Sequence, residues 1–229
     1  MFTGLIEALG RLDSVEDRGP LRVFRIRTPA GFLGDVAPGD SVAVDGACLT
    51  AVHVDADLLT VEAIPQTLER TVAGHYRKDT VVNLEKAMIL GSRLGGHLVQ
   101  GHVDGVGNLI RVLEDGDAWR LHFRLPPEVH RGTILHGSIT LNGVSLTVNA
   151  LEHPDPEHPD HEDPDHEDPD HADPDHADPH HLEVGIIPHT WTHTNLSLLA
   201  PGDPVNVEGD LIGKYVARWM SGANPPPAV

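Results

Sequence analysis

Short stretches in which apolar and polar residues alternate, separated by Gly, Pro, Asp and Asn, make up most of this chain. LRVFRIRTP (21–29) and AWRLHFRLP (118–126) alternate apolar with largely basic positions at period two, as strands with one buried face do. SVAVDGACLTAVHV (41–54) alternates around Val42 and Val44, passes an Asp-Gly turn signal, and is followed by LLTVEAIP (58–65). SITLNGVSLTVNAL (138–151) repeats that pattern around Asn-Gly. Many short strands at regular spacing with little helix predict a small antiparallel barrel, whose closure removes exposed sheet edges. Helix is expected in few places. PQTLERT (65–71) and PHTWTHTN (188–195) each read as a short helical turn with proline at the first position. EKAMILGSRL (85–94) and EGDLIGKYVARWM (208–220) read as more helical. In the latter, Leu211, Tyr215, Val216 and Trp219 share a face, and an exposed apolar helix at the end of a barrel predicts an oligomer contact.

The pattern occurs twice. Residues 1–50 align without a gap on residues 98–147, at a constant offset of 97. Gly4 falls on Gly101, Cys48 on Ser145, and Thr50 on Thr147. The match resumes at an offset of 123, where VEAIPQT (61–67) meets VGIIPHT (184–190) and VVNLE (81–85) meets PVNVE (204–208). Two tandem copies of a domain-sized module result, with a duplicated ligand site as the natural consequence.

The jump between offsets leaves 26 extra residues in the second copy. They lie in the His/Asp/Pro-rich stretch 153–181, which carries 12 of the 35 acidic residues and none of the 16 basic ones. Proline every fifth residue and abundant acid predict a disordered or extended loop, read as a solvated low-complexity expansion, with metal chelation by its histidines and carboxylates as the rival reading. Outside it, 23 acids face 16 bases, an ordinary surface that argues against nucleic-acid binding. The single cysteine excludes an internal disulfide and suits the reducing cytoplasm. No signal peptide or membrane span is expected, and the tail ANPPPAV (223–229) should fray.

No Walker loop, GxSxG elbow or compact Cys/His zinc spacing occurs outside the loop. What repeats is a set of small polar residues, GACLT (46–50), AIPQT (63–67), GVSLT (143–147) and IIPHT (186–190), at predicted strand ends. These could offer hydrogen bonds to a flat heterocycle and a polyol chain. Spacing alone goes no further than a duplicated barrel that binds a small ligand.

The motifs MFTGLIE at the start, CLT (48–50), GGHLVQGHVDGVG (95–107), SLTV (145–148) and IIPHT (186–190) resemble riboflavin synthase, the trimeric type built from two lumazine-binding barrels. The resemblance covers about the whole chain except the loop and the last residues. It implies a mainly β fold: two tandem six-stranded Greek-key antiparallel β-barrels, at 1–97 and 98–207, then a trimerisation helix and tail at 208–229. It further implies a dismutation of two 6,7-dimethyl-8-ribityllumazine molecules to riboflavin and 5-amino-6-ribitylaminouracil, without cofactor or metal, in a homotrimer, with lumazine synthase as a candidate partner. A lumazine- or flavin-binding antenna protein is the alternative.

The resemblance carries ligand contacts onto particular residues. A first cradle comprises Gly4, Leu5, Ile6, Cys48, Leu49, Thr50, Glu62, Ala63, Ile64, Pro65, Gln66 and Thr67. A second comprises Gly101, His102, Val103, His136, Ser145, Leu146, Thr147, Ile187, Pro188, His189, Thr190, Trp191 and Thr192. Cys48, His102, Ser145 and Asp210 are the catalytic candidates, with His102 as the acid/base and His97 read as structural. Cys48 could equally be a small buried hydrophobe, and Asp210 a charge that stabilises a helix start. Two departures from the family pattern, His136 for Lys and Asn142 for Asp, place the second-barrel contacts in question.

Overall fold

The computed structural model describes residues 1–152 and 180–220. The expected disorder and chelation of the inserted loop and the fraying of the tail fall largely on 153–179 and 221–229, outside the described residues.

Among the described residues, twelve strands close into two antiparallel barrels of six. The first uses β1 (Ala8–Arg18), β2 (Leu21–Arg27), β3 (Ser41–Val44), β4 (Ala47–Asp55), β5 (Leu58–Ala63) and β6 (Val81–Lys86), in the order β1-β2-β5-β4-β3-β6. The second repeats that order with β7 (Gly105–Asp115), β8 (Ala118–Arg124), β9 (Ser138–Leu141), β10 (Val144–Leu151), β11 (His181–Ile186) and β12 (Pro204–Gly209). The period-two reading holds residue by residue. Val42, Val44, Leu49, Ala51, Leu59 and Val61 point into the first barrel, and Ile139, Leu141, Leu146, Val148, Leu182 and Val184 into the second. Asp45-Gly46 and Asn142-Gly143 turn the two central hairpins with all four residues at positive φ, which Asp, Asn and Gly tolerate best.

Short helices α1 (Pro65–Arg70) and α3 (Pro188–His193) follow β5 and β11, each with proline in its first turn. A single turn, α2 (Pro127–His130), follows β8. Helix α4 (Leu211–Met220) ends the described chain. Of its expected face, Tyr215, Val216 and Trp219 are exposed and Leu211 is half-buried, with Ile212 exposed in addition. The helix expected over 85–94 does not form. Glu85 and Lys86 are the last residues of β6, and the chain beyond has neither helix nor strand. Glu85 is buried, with its carboxylate taken up by the backbone of Thr3 and Gly4, and Gly91 sits at φ +95°, where a helix cannot continue.

The barrels meet through a buried polar cluster. Gly46 and Gly143 pack so closely that a Cβ on Gly46 would lie 2.7 Å from the Gly143 nitrogen. Asn83 and Asn206, equivalent in the two copies, reach across to the hairpin carbonyls of Asn142 and Asp45, both at 2.8 Å. The cluster departs from symmetry at Asp45 against Asn142, and at Tyr76 and Asn195, whose equivalents are Leu199 and Val72. Asp45 accepts from Tyr76 Oη (2.7 Å), the Asn83 nitrogen (2.7 Å) and Asn195 Nδ2 (2.9 Å), whereas Asn142 Oδ1 accepts from the Asn206 nitrogen at 2.8 Å. Burial raises the Asp45 carboxyl to about 7 against these three donors, Tyr76 foremost. Asn142 is therefore a buried part of the junction between the barrels.

Candidate functional site

The segments that open the two copies cross between the barrels. Phe2 and Val99 exchange backbone hydrogen bonds of 2.7 and 3.2 Å, so residues 1–6 and 97–103 run antiparallel across the junction. Each is clamped by the last strand of its own barrel. Glu85 accepts from the Thr3 nitrogen (2.6 Å) and the Gly4 nitrogen (3.0 Å), and Glu208 from those of Gln100 (2.8 Å) and Gly101 (2.9 Å). Burial pushes both carboxyls above the ordinary range, opposed by the amide hydrogen bonds.

Each segment then delivers its glycine to the other barrel. The Ser145 nitrogen donates to the Gly4 carbonyl at 2.8 Å, and the Cys48 nitrogen to the Gly101 carbonyl at 2.9 Å. Gly4 and Gly101 share φ +76°, and a Cβ would lie 2.5 Å from Ser145 Cβ or 2.6 Å from Cys48 Cβ, so only glycine fits either crossing. Ile6 packs on the second core and Val106 on the first. The grouping expected from sequence is thus exchanged: Gly4 belongs with Ser145, and Gly101 with Cys48. Equivalent positions in a repeat need not lie on their own copy when the segments cross.

On the second barrel, Ser145 and Thr140 face one another across β9 and β10, with Ser138 opposite Thr147. His97 lies between the first two: its Nδ1 is 2.7 Å from Ser145 Oγ, and its Nε2 3.2 Å from Thr140 Oγ1. Burial lowers the His97 pKa, with the Asp210 charge acting the other way. The ring thus has one nitrogen at a serine hydroxyl and the other at a threonine hydroxyl. Asp210 also caps α4, accepting from the Gly213 nitrogen at 2.9 Å. The helix-start reading of Asp210 has this hydrogen bond behind it. The pairing of Val148 with Val184 brings the end of β11, and so Ile187–Thr192, alongside the Ser145 end of β10. Trp191 stacks on Trp119 with centroids 4.6 Å apart, which fixes α3 to the barrel.

On the first barrel, Cys48 packs with Phe2, Ala43 and Val99. Ser41 lies opposite Thr50. Glu62 and Ala63 end β5, and Ile64–Thr67 lead into α1. Leu5, Thr50, Ile64, His102, His136, Thr147 and Ile187 are exposed, so both cradles are open faces rather than enclosed cavities. A cleft of about 520 Å³ borders Leu5, Ser41 and Glu85 at the rim of the first barrel.

A model of the lumazine binding domain matches residues 3–87 and again 100–210, the two barrels in turn. Riboflavin synthase of Bacillus subtilis (strain 168) is 35% identical over 224 residues, 98% of this chain and 92% of that protein. Riboflavin synthase of Mycobacterium tuberculosis (strain H37Rv) is 37% identical over 226 residues, 97% of this chain and all of the relative. The chain belongs to the riboflavin synthase family. In fold it also matches LumP in complex with 6,7-dimethyl-8-(1'-D-ribityl)lumazine, with TM-score 0.73 at 20% identity over 91% of this chain and 99% of that one.

Within this riboflavin synthase framework, the catalytic candidates separate. Ser145 lies against His97, the histidine that motif reading set aside as structural, and the Asp210 charge acts on the same ring. His102 stands exposed on the segment that crosses to Cys48, with no hydrogen bond among the described residues. His136 is exposed at φ +62°, at the position where the first copy has Gly39. Thr140, Ser138 and Ser41 were missed. The repeat alignment carried a signal for the two serines, which occupy equivalent positions, but none for Thr140, whose equivalent is Ala43.

Proposed function

We propose that the chain catalyses the riboflavin synthase reaction: two molecules of 6,7-dimethyl-8-ribityllumazine exchange a four-carbon unit to give riboflavin and 5-amino-6-ribitylaminouracil. The observation that carries this reading is a cradle built twice, with an acid–base pair in one copy: His97 lies 2.7 Å from Ser145 Oγ. The C7 methyl of the lumazine is acidic because its anion delocalises into the pteridine, so a neutral imidazole acting through a hydroxyl is base enough. Thr140 and Asp210 stabilise the imidazolium that forms. The remaining demand is to hold two heterocycles face to face, and proximity supplies much of the rate.

In this reading Gly4, Leu5 and Ile6 join Ser145, Leu146, Thr147, His136 and Ile187–Thr192 around one substrate. Gly101, His102 and Val103 join Cys48, Leu49, Thr50 and Glu62–Thr67 around the other. Each open face takes its second wall from a neighbouring subunit, in a homotrimer held by α4 and the segment 208–229. The electrons redistribute between two pteridines, so the dismutation requires no cofactor. A cytoplasmic setting and association with lumazine synthase, which makes the substrate, complete the proposal.

Incubation of the purified protein with 6,7-dimethyl-8-ribityllumazine, followed by riboflavin absorbance, tests the activity. Stoichiometric lumazine binding without riboflavin would replace the enzyme with an antenna-type protein. Trp219→Asp, on the exposed face of α4, should move the sedimentation mass from trimer to monomer; an unchanged trimer removes α4 from the assembly.

A further inference from the structure

On the outer surface of the second barrel, two histidines that neither cradle uses meet nitrogen to nitrogen. His122 on β8 lies between the core residues Leu121 and Phe123, and His181 on β11 precedes the core residue Leu182, so strand alternation turns both rings outward. They are covered all the same, with side chains only 6% and 5% exposed. His122 Nδ1 and His181 Nε2 are 3.0 Å apart, with the ring planes inclined at 43°. A carboxylate stands behind each ring: Glu183 Oε2 is 3.3 Å from His122 Nε2, and Glu152 Oε2 is 3.6 Å from His181 Nδ1. Carboxylates draw ring protons toward them, and a neutral imidazole carries only one. With those protons on the outer nitrogens, the inner pair turn lone pairs toward one another, an arrangement that calls for a cation between them.

We propose that His122 Nδ1 and His181 Nε2 hold a divalent transition-metal ion of the imidazole-binding class, Ni²⁺ or Cu²⁺, in place of a shared proton. At a metal–nitrogen distance of about 2.1 Å, two donors at a right angle lie about 3.0 Å apart, which matches the separation of the pair. A carboxylate behind the outer N–H is what orients a ligating histidine and raises its basicity. A cavity of about 180 Å³ beside the pair, lined also by Glu152, Glu183, Arg111 and Arg120, gives water room to complete the coordination. The Arg120 charge is met by Asp115 and Glu183 at 3.4 and 3.5 Å. Among the described residues no group of three or more His, Cys, Asp or Glu forms a metal site, so the protein supplies two donors. The first copy has no counterpart: Arg25, Leu58 and Thr60 stand where the second has His122, His181 and Glu183. The site is independent of the lumazine reaction and stands whether or not the chain catalyses it.

The full chain, freed of metal by a chelator, is titrated calorimetrically with Ni²⁺ at neutral pH. H122R/H181L installs the first-copy residues on strands of the same fold and should bind one Ni²⁺ per chain fewer than the parent. That difference is read independently of any ions held by histidines outside the described residues. His181→Gln keeps a polar side chain and should show the same loss, so a folding defect in the double variant does not decide the result. Glu152→Gln, which removes one carboxylate from behind His181, should weaken the same site by about tenfold. Equal stoichiometry and affinity in the parent and a folded histidine variant overturn the proposal, as does a parent that binds no Ni²⁺; the pair then shares a proton only.

Discussion

Gly4 meets Ser145 at the second barrel as Gly101 meets Cys48 at the first, with the same backbone angle and hydrogen bonds that differ by 0.1 Å. What surrounds them differs. Ser145 has a buried imidazole at its hydroxyl and a second hydroxyl behind that, whereas Cys48 sits among Phe2, Ala43 and Val99. Duplication has copied the crossing itself, while a buried imidazole stands against the side chain at one crossing and an apolar cluster at the other. Two identical substrates then meet unlike surroundings, which is what a donor and an acceptor require.

The sharpest break of that asymmetry is at His97. His97→Ala should lower riboflavin formation by about 10²–10⁴-fold, the usual weight of a general acid–base group. Cys48→Ala, which removes a sulfur from an apolar cluster, should cost far less. Lumazine binding, followed by fluorescence titration, should survive both changes. Equal losses of turnover in the two variants would mean that the barrels contribute alike.

The same asymmetry appears at the junction, where Asp45 answers Asn142. The folded Asp45 carboxyl, at about 7, lies above its unfolded value of 3.8, so between those limits the native state holds a proton that the unfolded chain has lost. Its contribution to stability is complete below about pH 4 and is lost as pH rises through about 7, a change on the order of a few kcal/mol. Asp45→Asn keeps an oxygen for Asn83 and Asn195 and turns an amide toward Tyr76, whose phenol can accept. The variant should therefore lose less stability between pH 5 and pH 8 than the parent, measured as the shift in urea midpoint. Glu85 and Glu208 titrate with the same sign and leave a residual slope in both proteins. Identical slopes would show that Asp45 is ionised throughout.

Strand positions and the two turns were legible because each rests on local alternation and on Asp-Gly or Asn-Gly, which need no knowledge of the rest of the chain. The helix expected at 85–94 failed for the opposite reason. Glu85 is fixed by Thr3 and Gly4, more than eighty residues away, and no window of local sequence contains that contact. The cradles were legible as residue sets and misassigned as partners, because an offset of 97 equates positions without saying which barrel they touch. His97 was hidden by the same crossing. Its motif marks it as a segment residue, and only the passage of that segment beneath β10 sets it against Ser145. Asn142 shows the converse, a departure from a family pattern whose place in the fold is the buried junction between the barrels.

Thr140 gives the finest test of how the second cradle works. Its hydroxyl is buried 3.2 Å from His97 Nε2, and the equivalent residue on the first barrel is Ala43. If Nε2–H donates to this hydroxyl, then Nδ1 is the free base toward Ser145, and the threonine selects the working tautomer. Thr140→Val keeps the shape and removes the partner, leaving the ring to choose its tautomer unaided. Turnover should fall by about tenfold, the low end of what a lost orienting partner of a histidine costs. Binding of lumazine should be unchanged, since the hydroxyl faces the imidazole. The pH profile decides whether the effect is electrostatic. Burial already lowers the His97 pKa, and loss of a hydroxyl able to stabilise the imidazolium should lower it further, moving the acid limb of turnover to lower pH. A tenfold loss with no movement of that limb would assign Thr140 to packing alone.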